Sequence, residues 1–299
     1  MRAEAIARRA FWITELATLS GSFGADAKTM HEELRTEIKR DGNDAIVDHL
    51  RICGAMPECY GHDSSEEKLY SKYTDAVLSE FFTAIGMDSV VIETRADVAD
   101  VQARGRNFSL VADAKAFRLS RTAKNQKDFK VQAMDRWRHG LDFAVVVCPI
   151  YQLPGSSSQI YLQATASNVC ILSYSHLAAL LGLAIRGYSR RAQDGLHGIF
   201  KSVALLNPSK SANEYWTGIN RALVNALAKH ADLWTVEKSR SIEALSAVKE
   251  ESLQYLSLER DRLLGLSKQA AIEELIRSRG LASRIATINR LQHGDLLGR

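Results

Sequence analysis

In residues 110–131, LVADAKAFRLSRTAKNQKDFKV, an aspartate and a lysine close an apolar run and a series of basic residues follows at once. If 110–117 is a strand, alternation places Val111, Asp113, Lys115 and Phe117 on one face and Leu110, Ala112, Ala114 and Ala116 on the other. Asp113 and Lys115 then stand one pleat apart, roughly 6.5 Å between Cα atoms, with room for a metal and a water. Asp100 lies thirteen residues earlier, in ADVADVQARGRN, a segment able to turn back beside that strand. Two carboxylates and a lysine are what metal-dependent phosphodiester hydrolysis needs. The acids hold Mg²⁺ through hard oxygen ligands, and the lysine orients the attacking water or helps to deprotonate it. The catalytic candidates are Asp100, Asp113 and Lys115; Asp100, Asp113 and Ala114 form the candidate metal set. A structural ion pair on a strand accounts for the same Asp-x-Lys.

Three residues alone are a weak pattern, and the chain holds a second copy, DAK at Asp26–Lys28. That copy follows SGSFG and precedes a helical pattern, so Asp26 reads as a helix N-cap. Only the copy at 113–115 has an apolar strand before it and a basic run after it.

The basic run separates this segment from the rest. Residues 115–138 hold Lys115, Arg118, Arg121, Lys124, Lys127, Lys130, Arg136 and Arg138 against Asp128 and Asp135, a balance of +6. The whole chain is +4, so the remainder sums to −2. A concentrated basic patch on a near-neutral body is how a polyanion site looks; a solvated helix face is the plain alternative.

The elements that must position these residues read as an α/β protein. Residues 1–60 look helical, with Met30, Leu34 and Ile38 on one face and NDAIVDHLRICG as a short helix. A helix from Ser64 to about Ile85 carries Leu69, Tyr73, Val77, Phe81 and Ile85 along one stripe. SVVIET, LVADAKAF, FAVVVCP and NVCILS are β-branched runs, and FAVVVCP is apolar throughout, as a strand buried on both faces would be. A basic helix from about Asn125 separates the second run from the third, and SHLAALLGLAI follows the fourth. This alternation predicts a mixed central sheet flanked by helices, with helical additions at both ends. The chain reads as one domain over 1–299: a helical part to 60, an α/β core over 61–189 and a helical part from 190. In the last part Ile242, Leu245, Val248, Leu253, Leu256, Leu263 and Leu266 make an apolar stripe, expected to pack on the body, with a dimer seam as the alternative.

With 46% hydrophobic and 25% charged residues the composition is that of an ordinary soluble globular protein. No apolar run approaches the roughly 20 residues of a membrane span. The N-terminal stretch reads as an amphipathic helix carrying acids rather than a signal peptide. The four cysteines are unpatterned and read as reduced thiols of a cytoplasmic protein. His49, Cys53, Cys59 and His62 fall within fourteen residues, but their spacing matches no familiar zinc pattern.

SSEEKLYSK, ADVADV, LVADAKAFRLSRTAKNQKDFKV and SHLAALLGL closely resemble the HindIII family of type II restriction endonucleases, with weaker similarity from about residue 60 to the C-terminal SRIATINR. The resemblance implies the PD-(D/E)xK nuclease fold and a Mg²⁺-dependent cut in both strands of double-stranded DNA at a palindromic site. By motif position Asp100 matches the first acid, Asp113 the second and Lys115 the lysine. The chain departs at Ala99, which replaces the motif's proline. A site AAGCTT cut after its first A, a homodimer and a cognate DNA methyltransferase protecting the same site are also implied. In many nucleases of this fold a glutamate from the preceding helix reaches the metal, which makes Glu67 and Glu93 candidate supporting acids. Ser64 and Glu67 also have the spacing of a capping box, the role that the sequence alone favours for Glu67, and Glu93, near the end of the strand before Asp100, equally reads as a solvent-facing strand residue.

In this setting the positive charge is expected to grip the DNA beside the metal. Arginine suits guanine edges, and asparagine or glutamine suits adenine edges. Arg118, Arg121, Asn125 and Gln126 are therefore the base-reading candidates, with Lys124, Lys127 and Lys130 on phosphates. Two other readings stay open: a DNA-binding protein without catalysis, and a structure-specific repair nuclease of the same fold.

Overall fold

The computed structural model describes residues 3–19, 22–92, 98–121 and 126–290. Its elements in chain order are α1 (Ala3–Thr18), α2 (Phe23–Asp41), α3 (Asn43–Ile52), α4 (Ser65–Ala84), β1 (Asp88–Val91), β2 (Val101–Arg104), β3 (Ser109–Ala114), α5 (Gln126–Phe129), α6 (Val131–Trp137), β4 (Phe143–Cys148), α7 (Gln159–Ala166), β5 (Val169–Ser173), α8 (Tyr174–Leu183), α9 (Ser189–Ala204), α10 (Ala212–Leu227), α11 (Asp232–Leu264), α12 (Lys268–Ser278) and α13 (Leu281–Asn289). Residues 1–252 form one compact unit and 253–299 a second. Among the described residues no helix is long and apolar enough to cross a membrane.

The sheet is mixed, as expected, and its five strands lie in sequence order. β1, β2 and β3 pair antiparallel; β3, β4 and β5 pair parallel. β3 is therefore the strand at which the two halves meet. β4 and β5 are covered on both faces, with Val145, Val146, Val147, Ile171 and Leu172 all buried. β2 is absent from the expected strands for a physical reason: VQAR is four residues long, and only Val101 and Ala103 turn inward. So short a stretch carries almost no periodic signal.

α4 forms as its stripe predicts. Leu69, Tyr73, Val77, Phe81 and Ile85 are all buried, and the Glu67 N–H donates to Ser64 Oγ at 3.1 Å. Three expectations need correction. α2 begins at Phe23, and the Asp26 N–H closes the first helical turn on the Ser22 carbonyl at 2.9 Å, so Asp26 is a buried first-turn acid rather than the N-cap. The basic helix is broken: Lys130 takes a left-handed conformation (φ 46°, ψ 30°) between α5 and α6, so no continuous basic face exists there. In the C-terminal stripe Val248 is buried, but Ile242, Leu253, Leu256 and Leu263 are exposed. The step of five residues from Val248 to Leu253 turns the helix by about 140° beyond a full turn, which takes the later leucines off that face.

β3 also ends earlier than its apolar run. The ladder stops at Ala114, and the Lys115 N–H makes one further bond to the Val147 carbonyl at 2.8 Å. β4 ends at Cys148, before Pro149, which has no N–H to offer. Phe117 pairs instead with the chain after α3, donating to the Gly54 carbonyl at 2.9 Å and accepting from Met56 at 3.2 Å. Tyr174 holds the same turn, its hydroxyl donating to the Lys115 carbonyl at 3.0 Å.

Gly54 makes this approach possible, because a Cβ there would lie 2.8 Å from the Tyr174 ring and 2.9 Å from Pro149 Cβ. Gly54→Ala is therefore expected to lower stability by about 1–3 kcal/mol, the usual cost of overpacking, read as a reduced urea midpoint. It should also slow the chemistry by moving the Lys115 backbone. An unchanged midpoint would show that the turn relaxes freely.

Candidate active site

The antiparallel register pairs Val101 with Ala112. One further step along that register sets Asp100 opposite Asp113, and opposed residues of antiparallel strands present their Cβ atoms on the same face about 5 Å apart. Sheet geometry thus brings together two acids thirteen residues apart. Ile92 N–H donates to the Asp100 carbonyl at 2.8 Å, holding this end of β2 against the chain beyond β1.

Asp113 is fully buried, and Lys115 Nζ donates to its Oδ2 at 2.5 Å. Burial pushes the Asp113 carboxyl above its ordinary value; Lys115 opposes that shift and Asp100 adds to it. Ala114, between the pair, is buried. α4 contributes two residues that sequence reasoning missed. Lys72 Nζ donates to Asp100 Oδ1 at 2.8 Å and to Asp75 Oδ2 at 3.1 Å. Burial drives Asp75 well above the usual carboxylate range; Asp100 and Asp113 reinforce this and Lys72 counters it. The available signal was an acid inside the apolar stretch YTDAVLSEFF, whose neighbours Thr74, Ala76 and Val77 are all buried.

The site therefore gathers three carboxylates, Asp75, Asp100 and Asp113, against two contacting ammonium groups, Lys72 and Lys115. Lys130 lowers the Asp113 pKa as a further, weaker influence. Hard oxygen donors with excess negative charge suit a divalent cation such as Mg²⁺. Among the described residues, however, no three His, Cys, Asp or Glu side chains already form a metal shell; lysine ammoniums stand against these carboxylates. A cleft of about 1030 Å³ opens beside the site, lined by Lys72, Asp100, Lys130 and Trp137 and by Lys28 and Arg35 of α2. The lysine of the other DAK copy is thus helical and faces the same cleft.

The remaining candidates are spread out. Glu67 stays at the start of α4, where its Oε2 accepts from the Asp63 N–H at 2.6 Å and its Oε1 accepts from Arg118 Nη1 at 2.7 Å. It lies eight residues, about 12 Å along the helix axis, from Asp75. Arg118 also donates to the Tyr60 carbonyl at 2.8 Å. Arg121 pairs with Asp128 at 2.7 Å and sits 4.8 Å above the Phe117 ring. Gln126 and Lys127 are exposed, and Lys130 Nζ lies 5.4 Å from the Trp137 ring. Glu93, Lys124 and Asn125 fall outside the described residues. His49 bonds to the Tyr73 hydroxyl at 2.6 Å and to Glu37 at 3.2 Å, Cys53 is buried, and the Cys59 and His62 side chains face solvent.

Comparison with known proteins identifies the family. The family profile described as HindIII restriction endonuclease matches residues 9–292. The type II restriction enzyme HindIII of Haemophilus influenzae is 34% identical over 254 residues, which cover 82% of each chain. With a match across nearly the whole chain and that identity over four-fifths of it, the chain belongs to the HindIII restriction endonuclease family, and it is a hydrolase of the type II restriction class that binds double-stranded DNA.

Proposed function

We propose that the chain hydrolyses one phosphodiester bond in each strand of a palindromic duplex site, AAGCTT cut after the first A, using Mg²⁺. The observation that carries this reading is the register of β2 on β3, which sets Asp100 opposite Asp113 with Lys115 in contact at 2.5 Å. Asp113, Asp100 and the backbone of Ala114 would hold the ion. Bound there, Mg²⁺ supplies neutralisation of the charge that develops on the phosphate and a water of lowered pKa. Lys115, anchored on Asp113, orients the attacking water and meets the phosphate oxygen. Lys127 and Lys130, the latter lining the cleft, would bear on phosphates, and Arg118, Arg121 and Gln126 on base edges; Asn125, which the sequence groups with them, lies outside the described residues. For Arg118 and Arg121 this requires exchanging their present carboxylate partners for DNA.

A palindromic site cut in both strands calls for two copies of the chain related by a twofold axis. A methyltransferase of the same specificity protects the host's own sites in a restriction–modification system. The chain acts in the cytoplasm, where that DNA lies. Sequencing the ends of digested plasmid tests the reading directly. A single class of ends at AAGCTT supports it; ends placed by DNA structure rather than by sequence overturn it.

Asp113→Asn and Asp100→Asn should each reduce cleavage by about a thousandfold or more while duplex binding in gel shifts stays near wild type. Near-normal cutting by either variant would remove that acid from the metal set. Lys115→Ala should abolish cleavage yet leave divalent-ion binding intact, as titration calorimetry would report. Replacing Lys127 and Lys130 with glutamine should weaken binding to every sequence alike and flatten the salt dependence by about one unit of slope for each phosphate no longer neutralised. An unchanged slope would leave these lysines as solvated surface.

A further inference from the structure

Lys115 is accounted for by the chemistry above, but Lys72 is not. It projects from α4 one turn before Asp75 and places a single ammonium between two carboxylates from different elements, 2.8 Å from Asp100 and 3.1 Å from Asp75. Its side chain is 28% exposed, whereas that of Asp75 is 4% exposed. Burial alone would lower the Lys72 pKa, yet the two carboxylates outweigh it and hold the ammonium firmly charged. Lys72 and Asp100 both line the cleft. The lysine stem is flexible and its charge compact, so the head group can leave the carboxylates for the open side without unfolding α4.

We propose that Lys72 is a built-in counter-cation of the metal site, bridging Asp75 and Asp100 before a divalent ion arrives and competing with that ion for Asp100. This rests on the metal reading above. Carboxylates crowded around β3 repel one another, and the Lys72 ammonium in contact with both Asp100 and Asp75 offsets that repulsion and holds the two side chains in place. Lys72 supplies that charge where Asp100 meets α4. When the divalent ion takes over Asp100, the ammonium is released toward the cleft. There it meets the phosphates of a bound duplex. Metal loading and DNA grip are thereby linked through one side chain.

The test uses Ca²⁺ as the probe on the full chain without DNA, in the wild type, Lys72→Met and Asp113→Asn. Removing one positive charge beside a divalent site should tighten Ca²⁺ binding by about tenfold or more, read as Kd by calorimetry. In chelator the Lys72→Met protein should melt below wild type, and saturating Ca²⁺ should close that gap. An unchanged or weaker Ca²⁺ affinity in folded Lys72→Met overturns the proposal. The wild type provides a second readout should Lys72→Met not fold. The Lys72 ammonium resonance, assigned by its loss in Lys72→Arg, should be protected from exchange in chelator and lose that protection on Ca²⁺ saturation. Protection that survives saturation overturns the proposal as well. Asp113→Asn separates the two levels: wild-type binding that disappears in Asp113→Asn upholds the metal reading whatever Lys72 does. Wild-type protein that binds no Ca²⁺ overturns both.

Discussion

A carboxylate fully buried at the centre of a sheet is the constraint around which this molecule is arranged. Withdrawing Asp113 from water costs several kcal/mol unless cations and hydrogen bonds replace the missing solvation. Lys115 provides the nearest replacement, at 2.5 Å. Its position depends on the chain turning away from β4 immediately after Ala114, on the Gly54 carbonyl that receives Phe117 and on the Tyr174 hydroxyl that holds the Lys115 carbonyl. α3, β3, β4 and α8 therefore converge on one lysine. A strand that simply continued to residue 117 would have kept the alternation and forfeited this anchorage.

The same constraint explains why the site lies where the antiparallel half of the sheet meets the parallel half. The parallel side gives Asp113 an apolar floor of buried valines, paired with it through Val146. The antiparallel side brings β2 alongside in the opposite direction, so that the residue before Val101 faces the residue after Ala112. A third acid then comes from α4, whose packing stripe is interrupted on one side by Lys72 and Asp75. Burial first, and the neighbouring acids after it, push the Asp75 and Asp113 carboxyls above their ordinary values. Lys72 and Lys115 bring positive charge against these acids from two different elements.

The basic segment answers to a different balance. By sequence its charges suggest a continuous gripping helix, yet the chain uses several of them internally. Arg118 secures the start of α4 through Glu67 and the Tyr60 carbonyl, and Arg121 closes on Asp128. Arginine's planar fork suits such paired contacts, whereas a lysine retains a mobile point charge. Lys127 and Lys130 accordingly stay exposed while the two arginines are drawn onto the protein.

What was legible in the sequence was whatever depends on neighbours a few residues apart. The α4 stripe, the wholly apolar β4, the mixed α/β class and the contrast between the two DAK copies all follow from local periodicity and context. The family resemblance named Asp100, Asp113 and Lys115 as a set. Tertiary structure decided the rest, because it turned on partners distant in the chain. β2 exists through its pairing with β3 rather than through its own four residues. Lys72 and Asp75 join the site because α4 packs on the sheet, while Glu67, one of the two candidate supporting acids, is left two turns away with Arg118. A spacing in sequence can state which groups share a face, but only the register between strands and the packing of a helix upon them determine which charges must be neutralised together.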